Sequence, residues 1–569
     1  MTHGSGSEFL CRCLGSGLVR PAGRGWTPFA LPGAPQRWSR DRQVDVAHIA
    51  LDVEIDPRCG PDEVGLRGSV THTVHPFLDG LESLVLDCAE LTVTRCVVGG
   101  RNARYEAEDG RLEIRLPRRA KAGQKLTVRV HYEGAPRRGL YFVRPDDDHP
   151  AKRPEVWSQG QDEDSRHWFP CFDYPNQKQT SEMRVTVPPG FRVLSNGRPV
   201  ADPEPAKGGW TTTHWRLDRP HVTYLMMVAV GEYEVHETKW RDVPVTYWAP
   251  PGRMPDVKRT LRRTPRMMTL FSKLTGVPYA YPQYAQVFVQ DFIFGGMENT
   301  SATTLTDTAI LDRTAEPEFW MDGLVAHELA HQWFGDLVTC RDWSHGWLNE
   351  GFASFMETVW MRAARGVDEE AYYRMGQHAA YLAEDSSAYR RPIVCRDYFE
   401  PIEIFDRHLY QKGASVLHML REELSEKLFC ECVALYLRRH RDGPAGPAAP
   451  RRAIEDMSGR NLEWFFDQWV HHGGHPVLKV SFAKEKGSAK RRAGVAVTVE
   501  QTQTPDEITP LFRFDVTLRI ETDKGSVERR LAIHEARHTF HVEVPGKVRW
   551  IAFDPGAQVL WAGEVKQPP

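Results

Sequence analysis

The sequence predicts a multidomain α+β protein, in which an antiparallel β domain is followed by a helix-rich domain and a β-sandwich. Its length of 569 residues exceeds the roughly 100–200 residues of a typical domain. Apolar residues alternate with a period of two before about residue 250 and again after about residue 476, which is typical of strands. Between these regions the apolar residues recur with the longer period of amphipathic helices.

The first two regions are a leader and a β domain. Residues 1–43 are rich in Gly, Pro and Arg, which predicts an irregular leader. Residues 44–250 contain alternating runs such as HIALDVEID and KLTVRVHY, and turn signals such as Asp109-Gly110 separate these runs. This pattern predicts an N-terminal antiparallel β domain over residues 44–250.

The last two regions are a helical domain and a second β domain. Residues 251–475 contain long helical runs, including FWMDGLVAHELAHQWF and FASFMETVWMRAA. Within them, the GPAGPAAP stretch at residues 443–450 predicts a surface loop. Residues 476–569 return to short alternating runs such as VLKVSFA and FRFDVTLRIET. Several short strands in a region of this size predict a C-terminal β-sandwich.

The composition argues against several classes of partner. Lys and Arg number 73 and Asp and Glu number 76, so the formal net charge of −3 does not suit a polyanion such as nucleic acid. No apolar run reaches the ~18 residues of a membrane span, and the N-terminus lacks an apolar stretch of secretory length. The ten cysteines show no framework of spacings, which is typical of free thiols in a reducing compartment. We therefore expect a cytoplasmic protein without a nucleic-acid or membrane partner.

The clearest chemical signal is the motif His327-Glu328-Leu329-Ala330-His331 within one of the predicted helices. Histidines four positions apart lie one helical turn above each other, so both imidazoles can reach one ion. We expect this helix to begin near Pro317 and to stop near Gly335. Glu350 opens the next amphipathic helix, WLNEGFASFME, and can present a carboxylate to the same ion. Two histidines and one carboxylate leave an open fourth position, which predicts one hydrolytic Zn²⁺ per chain, bound by His327, His331 and Glu350.

Glu328, the residue after His327, indicates how the hydrolysis would be catalysed. Zinc lowers the pKa of a water ligand to about 7 and polarises a scissile carbonyl. Glu328 is rotated away from the two histidines, but it stays close enough to take a proton from the attacking water and return it to a leaving amine. The tetrahedral oxyanion formed by this attack needs a second donor opposite the metal.

Longer motifs around these residues resemble the aminopeptidase N family of gluzincin metallopeptidases. The metal motif extends to HELAHQWFGD, Gly295-Gly296-Met297-Glu298-Asn299 matches the family's G-x-M-E-N segment, and residues 410–414 (YQKGA) match its Y-x-K-G-A segment. The FPCFD segment at residues 169–173 and the stretch FFDQWVHHGGHP at residues 465–476 add further support. The resemblance implies a thermolysin-like α+β catalytic domain over residues 251–475. It also implies a zinc-dependent aminopeptidase, which hydrolyses the N-terminal peptide bond of peptides.

The resemblance implies roles for individual residues as well. Glu298 is expected to hold the substrate's α-ammonium, with help from Gln159 and Gln161 in the glutamine-rich segment before FPCFD. Tyr410 is expected to supply the second oxyanion donor. The residues expected to form an edge strand beside the substrate backbone are Gly295, Gly296 and Met297.

Other expectations concern size and partners. Larger family members continue into a long helical domain, whereas the residues after 476 predict strands, so we expect a short form without that domain. We expect peptides with a free N-terminus as partners, and a monomer or small homo-oligomer. His345, which lies between the expected ligands in sequence, is expected to be a histidine of a surface loop.

Two other functions stay open at this point. The leukotriene hydrolase branch of the family shares the Gly-Gly-Met-Glu-Asn form, so the chain could be a bifunctional epoxide hydrolase and aminopeptidase. From another class, the chain could be a catalytically silent binding scaffold of the same fold. Such a scaffold predicts a damaged site, yet every expected site residue is present. Assays of both activities on one preparation would separate the first alternative, and stoichiometric zinc would argue against the second.

Overall fold

The computed structural model describes residues 28–316, 318–486 and 493–566. Strands dominate its first half and its C-terminal part. In chain order they are β1 Val44–Ile55, β2 Leu66–Pro76, β3 Leu81–Asp87, β4 Thr92–Val98, β5 Arg101–Ala103, β6 Tyr105–Glu108, β7 Arg111–Ala120, β8 Leu126–Gly134, β9 Leu140–Val143, β10 Glu155–Ser158, β11 Gln179–Val187, β12 Arg192–Ser195, β13 Arg198–Pro199, β14 Glu204–Pro205, β15 Thr211–His221, β16 Val228–Gly231, β17 Glu234–Trp240, β18 Val243–Ala249, β19 Tyr284–Val289, β20 Gly296–Met297, β21 Ala302–Thr306, β22 Val338–Cys340, β23 Gly443–Ala445, β24 Val477–Glu485, β25 Gly494–Gln501, β26 Phe514–Thr522, β27 Gly525–Ile533, β28 Arg537–Glu543, β29 Val548–Phe553 and β30 Ala562–Lys566.

Helices make up about half of the chain between β18 and β24. They are α1 Met254–Leu261, α2 Thr264–Thr275, α3 Asp322–His331, α4 Trp347–Arg365, α5 Val367–Ser387, α6 Gly413–Leu424, α7 Glu426–His440, α8 Ala449–Ser458 and α9 Glu463–Phe466. Within the described part of the chain, none of these helices combines the length and the apolar character that crossing a bilayer requires.

The chain forms two compact units. Unit N contains Trp38–Trp343 and Leu437–Pro447, and unit C contains the described residues up to Arg37, Ser344–Tyr436 and the residues from Ala448 onwards. The structure is therefore a mixed α+β fold, with a β-rich N-terminal part and a helical region after it, as the sequence predicts at this level. Of the predicted leader, residues 1–27 lie outside the described residues, and residues 28–43 contain no strand or helix but make two isolated bridges, at Pro28 and Gln36.

The largest sheet of unit N has the strand order β13-β15-β11-β1-β2-β8-β4-β5, and β14 also pairs with β15. Most adjacent strands in this sheet run antiparallel, but β1 pairs parallel with β11, with His48 opposite Thr180. The predicted antiparallel N-terminal β domain therefore contains one parallel pair of strands in this sheet. Alternating apolar residues identify a strand and its buried face, but they do not reveal the direction of its partner.

A five-stranded sheet in unit N has the order β17-β18-β19-β21-β20 and supports the candidate site. Its central strand β19, YAQVFV, is buried at every residue, which is typical of a parallel strand covered on both faces. β18, β19 and β21 run parallel, and β20 pairs antiparallel with β21. The sheet combines β17 and β18, which precede the predicted boundary at residue 250, with strands that follow it.

Helix α3 carries the histidine motif and is buried along its whole length, so it has no polar face toward solvent. It begins at Asp322, whose carboxylate accepts hydrogen bonds from Arg263 at 2.9 and 3.0 Å. Pro317, the expected start, lies outside the described residues. The helix ends at His331, earlier than the expected stop at Gly335, because its last turn tightens. There the N–H groups of Gln332 and Trp333 bond to the carbonyls three residues before them.

The predicted surface loop at residues 443–450 is correct only for its middle, because residues 446–448 form a turn that is not buried. β23 pairs parallel with β22, and Ala445 is buried in unit N. Ala449 and Pro450 are buried at the start of α8 in unit C. Proline and glycine indicate that no helix continues through this stretch, but they do not indicate whether its residues are exposed or buried.

Unit C contains a helical part and two C-terminal sheets. α4 packs against α5 and α6 and is buried from Trp347 to Met361. The strands after α9 form a four-stranded sheet in the order β28-β25-β24-β30 and a three-stranded sheet in the order β27-β26-β29. Buried residues alternate along β26, so one face of its sheet is covered.

Candidate active site

The two motif histidines of α3 are neighbours in unit N. Their ring centroids lie 4.7 Å apart, and both side chains are buried. His331 Nδ1 lies 2.9 Å from the backbone carbonyl of Phe334. Because a carbonyl only accepts hydrogen bonds, this contact places the proton of a neutral imidazole on Nδ1 and leaves the Nε2 lone pair for a metal ion.

Two carboxylates lie beside these imidazoles. Ligand atoms of Glu298, Glu328 and His331 all lie within 4.8 Å of one another, and the three side chains are at most 3% exposed. Two buried carboxylates this close repel each other unless a cation or a proton lies between them. Neutral imidazole nitrogen is a donor that zinc accepts, so His327 and His331 fit a zinc ion, and the two carboxylates beside them would favour a bound cation.

Gly296 allows the Glu328 carboxylate to approach the edge strand. A Cβ at Gly296 would lie 2.4 Å from Glu328 Oε1, far inside normal contact distance. Any side chain at this position would therefore displace Glu328. The glycine keeps the backbone of β20 directly beside the motif of α3.

The strand β20 is the last strand of its sheet. Among the described residues it pairs only with β21, with Gly296 opposite Leu305 and Met297 opposite Thr304. The preceding Gly295 carbonyl accepts the N–H of Thr306 at 3.0 Å. An edge strand can accept an extended peptide by backbone hydrogen bonding, and this edge lies next to Glu298 and Glu328.

Both glutamines of the segment before FPCFD reach this strand. Gln161 Nε2 lies 3.4 Å from Glu298 Oε1, and Gln159 Nε2 lies 3.1 Å from Met297 Sδ. The other amide atom of Gln159, Oε1, is buried and has no donor among the described residues. A ligand with an N–H group would satisfy this acceptor.

Glu350 and Tyr410 belong to unit C, where the elements that carry them pack together. Glu350 is buried in the first turn of α4, and Tyr410 is half-buried in a five-residue π-helix, His408–Lys412, that packs on α4. A Cβ at Gly351 would lie 3.2 Å from the backbone of Gly413. The two glycines therefore permit the start of α4 to approach the π-helix closely. Such π-helical turns occur frequently at functional sites.

Asp406 holds this π-helix at its start, and sequence reasoning missed it. Its Oδ1 accepts the N–H groups of His408 and Leu409 at 3.0 and 3.1 Å, and its carbonyl accepts the N–H of Tyr410 at 3.1 Å. Arg391 Nε donates to its Oδ2 at 2.8 Å. Burial alone would raise the pKa of Asp406, but the charge of Arg391 holds that pKa below its usual range.

His408 is part of the same buried cluster. Burial disfavours its charged form, but the neighbouring carboxylates of Asp406 and Asp385 raise the pKa of His408 to about 9. The cluster is therefore ionic at neutral pH. The hydrogen bonds from Asp406 to the start of the π-helix could be suspected only from its position four residues before Tyr410, because Arg391 and Asp385 are distant in sequence.

His345 does not lie in a surface loop, so that expectation is wrong. It is 2% exposed, and its Nε2 lies 3.2 Å from Arg396 Nη2. Burial, followed by the charge of Arg396, lowers the pKa of His345 to about 3. The histidine is therefore a neutral, buried acceptor.

Comparison with known proteins gives a consistent set of matches. Residues 259–469 match the Peptidase family M1 domain, and residues 45–225 match the Peptidase M1 N-terminal domain. The chain is 26% identical to a leucyl aminopeptidase of Saccharolobus solfataricus over 72% of this chain and 52% of that protein. It is 31% identical to the mitochondrial aminopeptidase 2 of Saccharomyces cerevisiae (67% and 40%) and 30% identical to the human glutamyl aminopeptidase (56% and 34%). The chain thus spans about half or less of the length of these three relatives.

Proposed function

Because the chain belongs to peptidase family M1, the aminopeptidase N family of gluzincin metallopeptidases, we propose that it is a zinc-dependent aminopeptidase acting on peptides with a free N-terminus. One observation carries this proposal beyond family membership. The buried Glu298 carboxylate lies at the end of an edge strand, beside the histidine motif and within reach of Gln161. A peptide bound along that edge would place its ammonium on Glu298 and its first peptide bond near the motif.

The proposed metal ligands are His327, His331 and Glu350. The paired histidines of α3 and the Nδ1 contact of His331 support the first two ligands. The sequence pattern and the burial of Glu350 at the start of α4 support the third. Zinc bound there would polarise the scissile carbonyl and lower the pKa of water to about 7.

The chain's own residues would carry out the remaining steps. Glu328 would take a proton from the attacking water and return it to the leaving amine. Tyr410 would donate its hydroxyl hydrogen to the developing oxyanion. Glu298 and Gln161 would hold the ammonium, and the buried Oε1 of Gln159 would accept a hydrogen bond from one of its N–H groups.

We also propose the finer architecture that this function implies. The N-terminal β domain would span residues 44–250, a thermolysin-like catalytic domain residues 251–475, and a β-sandwich residues 476–569. The two C-terminal sheets, each with alternating burial, support the sandwich. The five-stranded sheet beside α3 supports the thermolysin-like assignment.

Replacing Glu298 with alanine tests the proposed recognition of the free amine. We expect kcat/KM for a free-amine tripeptide to fall at least about 30-fold, because one charge-assisted contact to a buried carboxylate is lost. The N-acetylated twin of the peptide should be a poor substrate of the wild type and should not be affected further by the substitution. The measurement is steady-state kinetics on both peptides.

A matched control is Glu237→Ala, which removes an exposed carboxylate from β17 of the same unit. It should leave kcat/KM within about twofold of wild type, as is usual for surface substitutions. Equal cleavage of the free and acetylated peptides by the wild type would refute the proposed function.

A further inference from the structure

Gln332, the residue after α3, joins the metal motif to the segment that carries Glu298. Its side chain is 1% exposed. Its Oε1 accepts the N–H of Ser301 at 2.9 Å, and its Nε2 donates to the carbonyl of Glu298 at 3.0 Å. One amide therefore binds both ends of the segment Glu298–Ser301 to the helix that carries His331.

The opposite side of this segment is held by the N-terminal β region. Asn196 Nδ2 donates to the carbonyl of Thr300 at 2.8 Å, and the N–H of Gly197 donates to Ser301 Oγ at 2.7 Å. Asn196 is itself fixed by the N–H of Met227, which donates to its Oδ1 at 2.8 Å. The segment Glu298–Ser301 is therefore held between two buried amides.

The backbone of this segment needs such support. Ser301 has φ of 67°, in the left-handed region that residues other than glycine rarely adopt. A conformation of this kind persists only where the surrounding contacts determine it. The bond from the Ser301 N–H to Gln332 is one of these contacts, so loss of the Gln332 amide should let the segment relax.

We infer that Gln332 is a positioning residue for substrate recognition, which fixes the Glu298 carboxylate relative to the histidine motif. This inference rests on the proposed function. Gln332 follows His331 directly in the chain, so its amide ties Glu298 to the end of α3 that carries this proposed metal ligand. A displacement of about 1 Å in such a site can cost about 100-fold in rate.

A double-mutant cycle with Glu298 tests the inference. Gln332→Leu should lower kcat/KM for a free-amine tripeptide at least about tenfold, mainly through KM, while zinc content stays at the wild-type value. In a Glu298→Ala background the same substitution should cost less than about twofold, because the carboxylate it positions is gone.

The control is Gln501→Leu in the C-terminal sheet. Gln501 is also buried, and its amide accepts the N–H and donates to the carbonyl of Phe512 at 2.9 and 2.8 Å. Its loss removes the same kind of backbone contact, so Tm should fall by an amount similar to that in Gln332→Leu while kcat/KM stays within about twofold. This comparison separates a loss of stability from a loss of positioning.

Gln332→Glu is the second variant, to be used if the leucine variant does not fold. Its carboxylate keeps an acceptor for the Ser301 N–H but turns an oxygen toward the Glu298 carbonyl, so the same tenfold loss and the same dependence on Glu298 are expected. Equal losses in both backgrounds, or loss of zinc in either variant, would overturn the inference. A zinc-loaded wild type that does not cleave free-amine peptides would instead refute the proposed function.

Discussion

Replacing Glu328 with alanine should lower kcat by about 10²–10⁴-fold or more, while zinc content stays at the wild-type value. The proposed role of Glu328 is to move a proton, and it is not among the proposed ligands. Its carboxylate lies against the backbone of Gly296, where a Cβ would approach it to 2.4 Å. The side chain is thus held beside the edge strand on which the substrate is proposed to bind.

The stability of this variant should not fall in parallel with its activity. Glu328 is 2% exposed, and its replacement by alanine also removes the free-energy cost of burying a charged group. Glu328→Gln provides the matched variant, because it keeps the size of the side chain but removes its negative charge and its capacity to take a proton. The measurements are kcat, zinc content and Tm. If either variant keeps more than a tenth of the wild-type rate, the assigned role of Glu328 is wrong.

Tyr410→Phe should lower kcat by about 10²–10³-fold and change KM little. The hydroxyl is proposed to act on the transition state, and removal of one oxyanion donor costs about 2.7–4 kcal/mol. The ring itself can keep its place, because its contact with Phe405, at 6.5 Å between centroids, does not involve the hydroxyl. Steady-state kinetics over a range of peptide concentrations would separate the two constants.

Tyr372→Phe is the control for this experiment. Tyr372 lies on α5 of the same unit, and its side chain is 57% exposed. Removing its hydroxyl should leave kcat within about twofold of wild type. A Tyr410→Phe effect confined to KM would assign the residue to ground-state binding instead of catalysis.

The sequence could predict those features that are encoded locally. The spacing of His327 and His331 on one helix requires only helical geometry, and the structure places the rings 4.7 Å apart. The alternating runs identify strands in the same way. The contact between Gln161 and Glu298 is different, because residues distant in sequence meet there, and only the resemblance to a family suggested it.

Features that depend on tertiary contacts could not be predicted in this way. Asp406 is one acidic residue among many until Arg391 and the N–H groups of the π-helix are seen around it. The positioning role inferred for Gln332 likewise depends on its hydrogen bonds with the Ser301 N–H and the Glu298 carbonyl. His345 has no sequence signal of burial, and the pairing of β1 with β11 is a choice of partner that alternation leaves undetermined.

The most direct test of the account is the product pattern from one peptide of about ten residues, followed by mass spectrometry over time. The zinc-loaded protein should shorten the free-amine peptide one residue at a time from its N-terminus, and it should leave the N-acetylated twin intact. Removal of zinc with a chelator should stop the shortening, and one equivalent of zinc per chain should restore it. Internal fragments, or shortening of the acetylated peptide at a similar rate, would contradict the assignment of Glu298 and its edge strand to recognition of a free N-terminus.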